Sequence, residues 1–190
     1  MSKIRVVHYI NQFFAGVGGE EQAHIAPELR KELPPISTQL QGKLGEDFEV
    51  VATVVCGDSY FNENLESVQK ELLEMIKGCE PQLFIAGPAF NAGRYGVAAG
   101  TITKAVQDEL HIPAVTAMYE ENPGTDMFKK DVYILETSDS AAGMRKALPK
   151  LAKFATKLAK GEEILSPKEE GYHQRGLRVN FFSETRGSER

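Results

Sequence analysis

Short runs of β-branched and other apolar residues alternate along the chain with longer stretches in which apolar positions recur at helical spacing. That alternation is the mark of βαβ units around a mostly parallel sheet. Strands are predicted over residues 4–10, 50–55, 83–86, 114–117 and 132–135, and the second, VVATVV, is apolar throughout, as expected where helices cover both sheet faces. Between them, Leu65, Val68, Leu72, Met75 and Ile76 share one helical face, with Asn62 or Asn64 available as a cap and Gly78 as a stop. Ala98, Ile102, Ala105 and Val106 repeat the pattern between Arg94 and Leu110. Met144, Leu148, Leu151, Ala155 and Leu158 do so again, in a helix whose end carries Lys153, Lys157 and Lys160 and closes at Gly161. In residues 31–47, Pro34 and Pro35 interrupt regular structure before a short helix. The predicted fold is a three-layer αβα sandwich on a flavodoxin-like sheet of about five parallel strands, occupying residues 1–161. Residues 162–190 read as an extended tail, too apolar at Leu177, Val179, Phe181 and Phe182 to be free of contact.

Composition narrows the function. A chain of 190 residues, 42% hydrophobic and 26% charged, suits one globular domain. The net charge of -5 and pI near 5.5 deny it the basic footprint of a nucleic-acid or anionic-membrane binder. No window reaches the ~20 apolar residues of a membrane span, and the opening MSKIRVVHYI reads as a charged lead-in to a strand, so a cytosolic protein is expected. Cys56 and Cys79 lack Cys-x-x-Cys spacing and fit a reducing compartment.

In such sheets ligands sit beyond the carboxyl ends of the strands, and the loops there hold the candidate chemistry. After the first strand, Gly16, Gly18 and Gly19 precede Glu20 and Glu21. The spacing is not that of a dinucleotide or P-loop motif, and the two acids disfavour phosphate; they suit an amine or a metal, or simply a solvated helix start. After the second strand, Asp58 is placed to meet an ammonium and Tyr60 and Phe61 to wall an aromatic box, or else Asp58 and Ser59 form a turn. After the third, Asn91, Arg94 and Tyr95 stand on a glycine-framed path. Arg94, at a helix opening, needs a partner, either a ligand carboxylate or a neighbouring acid. After the fourth, Glu120, Glu121 and Asn122 precede a Pro123–Gly124 turn, and no histidine is spaced to complete a metal site. His8 reads as a hydrogen-bonded core group and Cys56 as a buried, inert thiol. There is no nucleophile elbow. The residues themselves lead as far as a ligand-binding α/β domain.

The same loops carry a family resemblance. The strings RVVHYINQFFAGVGGEE, VVATVVCGDSYFNEN, LFIAGPAFNAGRYGVAAG, AMYEENPGTDMFKKDVYI and SAAGMRKALPKLAKFATKLAKGEEI resemble the selenoprotein B component of glycine, sarcosine and betaine reductases, and the likeness extends to GYHQRGLRVNFF. The resemblance implies a subunit that receives a small amine substrate together with a pyruvoyl-containing partner subunit. A selenocysteine of the full-length subunit then takes part in reductive C–N cleavage, and the carbon fragment passes to the selenoprotein A component on the way to acetyl phosphate. A homo- or hetero-oligomer is expected. Family members run on past the equivalent of Arg190 into a second α/β half bearing the selenocysteine, so the chain reads as the amino-terminal part, expected to be inactive alone. Two roles follow. The crevice of Glu20, Glu21, Asp58, Tyr60, Asn91, Arg94, Tyr95 and Glu120 binds the amine, or the domain is a non-catalytic docking module for the pyruvoyl partner or a twin subunit.

Overall fold

The computed structural model describes residues 3–175. Six strands form one sheet: β1 (Ile4–Asn11), β2 (Glu28–Arg30), β3 (Phe48–Cys56), β4 (Leu83–Ala86), β5 (Ala114–Met118) and β6 (Tyr133–Glu136). They lie in the order β2-β3-β1-β4-β5-β6, and all neighbours are parallel except β2 and β3. The sheet therefore has one strand more than the five expected. Three residues, Glu-Leu-Arg, show no alternation to announce β2, and it exists because the open edge of β3 pairs with it. Val51 is an extra residue in β3, opposite the step from Val6 to Val7, and turns the following side chains to the other face.

Seven α-helices, α1 (Pro35–Leu44), α2 (Asp58–Glu63), α3 (Leu65–Gly78), α4 (Gly93–Leu110), α5 (Pro123–Phe128), α6 (Met144–Ala159) and α7 (Pro167–Glu170), and two short 3-10 helices, Glu20–Gln22 and Ala141–Gly143, are present among the described residues. Pro35 opens α1 instead of breaking it, because a first-turn proline has no intrahelical hydrogen bond to lose. Pro123 likewise opens α5, where a simple turn was expected, with the Asn122 side chain accepting from the Gly124 N–H. Neither Asn62 nor Asn64 caps α3 through its side chain. The Asn64 amide donates back to the Tyr60 carbonyl, and that of Asn62 to the carbonyls of Asp58 and Arg94.

The helices cover both sheet faces. On one, α1 and α6 bury Leu40, Leu148, Leu151 and Phe154 against Val6, Ile10, Val55, Ile85 and Val115. On the other, α3 and α4 bury Leu72, Ile76, Ile102 and Val106 against Val7, Val54 and Phe84. The segment after α6 packs onto the domain as far as it is described. Tyr172 bridges antiparallel to Leu135, and its ring meets Tyr133 edge-on and Phe154 at a tilt. His173 donates its backbone N–H to the Ile134 carbonyl. Leu177, Val179, Phe181 and Phe182 lie outside the described residues.

His8 shows how polar groups are accommodated in this core. Its Nε2 bonds the Gly87 carbonyl at 2.8 Å, so that nitrogen carries the proton. Nδ1 then accepts from the Ser37 hydroxyl at 2.8 Å, and Ser37 accepts from Thr53 at 2.8 Å. Burial lowers the imidazole pKa to about 4, against the opposing pull of the Gly87 carbonyl, so the ring is neutral.

Candidate functional site

The sheet order places β1 between β3 and β4, so the loops leaving β1 and β4 diverge and open a crevice at the carboxyl ends of the strands. There the structure has a cavity of about 330 Å³, at the small end of the ~300–1,000 Å³ typical of ligand sites. Its walls come from the loops after β1, β3, β4 and β6.

The loop after β1 is built on two amides, Asn11 at the end of the strand and Gln12 next to it. Asn11 accepts the Phe14 N–H on its Oδ1 at 3.1 Å, and donates from Nδ2 to Asp58 Oδ2 at 3.0 Å. Gln12 accepts the Asp58 backbone N–H on its Oε1 at 3.1 Å, and its own carbonyl accepts from Val17 and Gly18. Asp58, the first residue of α2, is thereby held at the cavity with 6% of its surface exposed. Its second oxygen, Oδ1, is buried and has no hydrogen-bond partner among the described residues. Burial raises its pKa to about 6, with Asn11, Arg94 and Gln12 pulling the other way and Glu20 adding to the rise.

The hydroxyls of Tyr9 and Tyr95 also lie buried without a hydrogen-bond partner of ordinary geometry among the described residues. Their rings stand 6.2 Å apart. Burial, and next to it Asp58 for Tyr95 and Cys56 and Asp58 for Tyr9, raises both phenols, so both stay neutral donors; a backbone influence of Asn11 opposes the rise at Tyr95. The aromatic wall is Phe14, Phe90 and Tyr95, with Phe14 6.5 Å from Phe90 and 6.0 Å from Tyr95. It is not the Tyr60–Phe61 pair anticipated for the box. Phe61 is fully buried edge-on to Tyr9, and Tyr60 packs on the helical core.

Of the candidate residues, Glu20, Asp58, Asn91 and Tyr95 line this cavity. Arg94 is tied to it: Nη1 donates to Ser59 Oγ and Nη2 to Glu20 Oε1, an ion pair on the surface. The neighbouring acid is thus the partner that Arg94 has here. Glu21 turns back to accept the Gly19 N–H at 2.9 Å, while Tyr60 and Glu120 stand outside the cavity wall. Asn11, Gln12, Phe14 and Asp139 complete the site unforeseen. An Asn-Gln pair at the end of an apolar strand was the available signal for the first two; Asp139 follows the short last strand with no motif.

The cavity therefore joins three acids, Glu20, Asp58 and Asp139, to an aromatic wall, a combination that favours a small cation. Among the described residues no group of three or more His, Cys, Asp or Glu side chains is placed to hold a metal ion. Cys56 ends β3 nearby, but burial, with Asp58 and Glu71 behind it, pushes its thiol up to about 12, far from a reactive thiolate. No helix among the described residues is long and apolar enough to cross a membrane.

Residues 3–190 match the family model of the glycine/sarcosine/betaine reductase selenoprotein B. The chain is 73% identical, over its whole length, to the glycine reductase complex component B subunit gamma of Peptoclostridium litorale, covering 44% of that protein. It is 60% identical over its whole length to the sarcosine reductase complex component B subunit beta of Peptoclostridium acidaminophilum, again 44% of the relative. To the betaine reductase complex component B subunit beta of the same organism it is 39% identical over 180 residues, 95% of this chain and 41% of the relative. The chain thus spans less than half the length of these relatives, and no solved structure matches it. Matched along nearly all its residues, the chain belongs to the glycine/sarcosine/betaine reductase selenoprotein B family.

Proposed function

We propose that this domain binds the amine substrate of a glycine, sarcosine or betaine reductase in the cavity at the end of β1, as the amino-terminal part of the B component. The observation that carries the reading is Asp58 Oδ1, a buried carboxylate oxygen without a hydrogen-bond partner among the described residues, in the same cavity as the Phe14, Phe90 and Tyr95 rings. An ammonium or methylammonium group satisfies that oxygen, and the aromatic faces stabilise the cation. The order β3-β1-β4-β5-β6 of the five parallel strands supports reading the sheet as flavodoxin-like, with the cavity at its switch point.

The reductive C–N cleavage that leads to acetyl phosphate needs groups beyond these residues, since both cysteines are buried and unpaired. In the family's chemistry a selenocysteine of the full-length subunit supplies the selenol and the pyruvoyl partner engages the amine. The residues described bind and orient: Asp58 fixes the nitrogen end and the aromatic wall excludes water. The pyruvoyl subunit and the selenoprotein A component are the partners, in a reducing, cytosolic setting. A docking role is favoured by one observation, the 59% exposure of Phe13 at the cavity mouth, edge-on to Phe14.

Titration calorimetry of the chain with glycine, sarcosine and betaine tests the reading. Saturable binding to at least one, abolished in Asp58→Asn, is expected; no binding, or binding indifferent to that change, overturns it. Loss of assembly with the partner subunit in Phe13→Ala, with binding intact, would support the docking role.

A further inference from the structure

We propose that Arg94 receives the carboxylate of a zwitterionic substrate, and that Glu20 is an intramolecular placeholder which the substrate's carboxylate displaces. The inference rests on the amine-binding reading above and assigns the other end of the same ligand.

Arg94 is the second residue of α4, where the positive helix end penalises a cation that lacks a partner. Its two partners differ in kind. Ser59 is buried, 4% exposed, and fixed in α2, so it orients the guanidinium from one side. Glu20 is on the other side, its side chain 74% exposed, in a three-residue 3-10 helix that follows a glycine-rich loop and has no side-chain cap. An exposed ion pair of this sort contributes little to stability, because water screens it and two long side chains must be ordered to form it. The fork of Arg94 is therefore held in place by one rigid contact and neutralised by one exchangeable contact.

Glu20 is itself part of the cavity wall, so the exchangeable contact is made at the cavity's edge. Asp58 and Ser59 are consecutive residues, so the acid for the nitrogen end and the hydroxyl that steers Arg94 are carried by one turn of α2. Against the rise that burial causes, Arg94 is near enough to Asp58 for its charge to pull that carboxyl's pKa down, and an acid and a base that sense each other suit a ligand carrying both an ammonium and a carboxylate. Charge works in the same direction. With Glu20 turned away, Asp58 and Asp139 remain as acids for the nitrogen end and the Arg94 charge is released for the carboxylate. With Glu20 in place the edge is acidic and repels a carboxylate.

The experiment compares two probes that share an ammonium and differ in the carboxylate, glycine and methylammonium, by calorimetry on the chain and its Glu20→Gln and Arg94→Ala variants. In the wild type, glycine is expected to bind more tightly than methylammonium. Glu20→Gln removes the competitor and should raise glycine affinity about threefold to tenfold while methylammonium stays level or weakens. A gain of this kind has no origin in misfolding. Arg94→Ala should bring glycine down to methylammonium, and the double variant should behave as Arg94→Ala alone. A glycine-to-methylammonium ratio that does not change in Glu20→Gln overturns the placeholder, and one that does not change in Arg94→Ala overturns the carboxylate assignment, in both cases with amine binding intact. If neither probe binds the wild type, the amine reading itself fails and takes this inference with it.

Discussion

Asn122 stands against the bare α-carbon of Gly96: a β-carbon placed there would fall 2.0 Å from the Asn122 Oδ1. The asparagine has little freedom to retreat, since its Nδ2 donates to the carbonyls of Phe90 at 2.9 Å and Ala92 at 3.1 Å, and its Oδ1 accepts the Gly124 N–H. It thereby pins the loop that carries Phe90 and Asn91 into the cavity.

Gly96→Ala is accordingly expected to destabilise the fold by about 1–3 kcal/mol, the usual cost of forcing a methyl into a packed site. Amine affinity should fall with it, as Phe90 shifts. Thermal melting paired with calorimetry checks both, and an unchanged melting temperature would mean that Asn122 yields at no cost.

Ser37→Ala should cost about 1–3 kcal/mol, because it leaves buried His8 Nδ1 without a donor and Thr53 Oγ1 without an acceptor. The folded pKa of His8, about 4, lies below its ordinary 6.5. Between those values the unfolded chain binds more protons, so this group's contribution is present above the window and lost as pH falls through it. Replacing His8 with Gln should flatten the acid limb of a melting-temperature profile between pH 6.5 and 4.

Asp58 works in the opposite sense. Its folded pKa of about 6 exceeds the ordinary 3.8, so the native state holds the extra proton and stability declines as pH rises from about 4 to about 6. Asp58→Asn is expected to stabilise the protein at pH 7.5, by on the order of 1–3 kcal/mol, and to do little at pH 4. Paired melts at the two pH values decide this. Because an ammonium needs the ionised form, amine affinity in the wild type should weaken as pH is lowered below about 6.

Tyr172 ties the segment after α6 to the domain, with its hydroxyl donating to the Leu165 carbonyl at 2.8 Å and its ring 4.9 Å from that of Tyr133. Tyr172→Ala should cost about 3–5 kcal/mol, as for other large aromatic truncations. Limited proteolysis should then cut within residues 162–170 well before the sheet unfolds. Simultaneous loss of both would show that the segment and the domain unfold as one unit.

Hydrophobic periodicity alone was enough to read the five parallel strands and the long helices α3, α4 and α6, because a buried strand or an amphipathic helix writes its own period into the chain. It also put the candidate residues on the strand-end loops, and the run of motifs from RVVHYINQFF onward carried the family. The pairing of β2 with β3 was not legible, since an edge strand of three residues depends on its partner and not on its own pattern. The membership of the site was not legible either. Asn11 and Asp58 are 47 residues apart and Glu20 and Arg94 are 74 apart, and only the parallel crossovers that set β1 between β3 and β4 bring them together. The surroundings of each aromatic were decided in the same way. Phe61 and Phe90 are both buried, yet Phe61 packs edge-on to Tyr9 in the core while Phe90 forms part of the cavity wall, because a side chain's surroundings are set by the elements that pack around it.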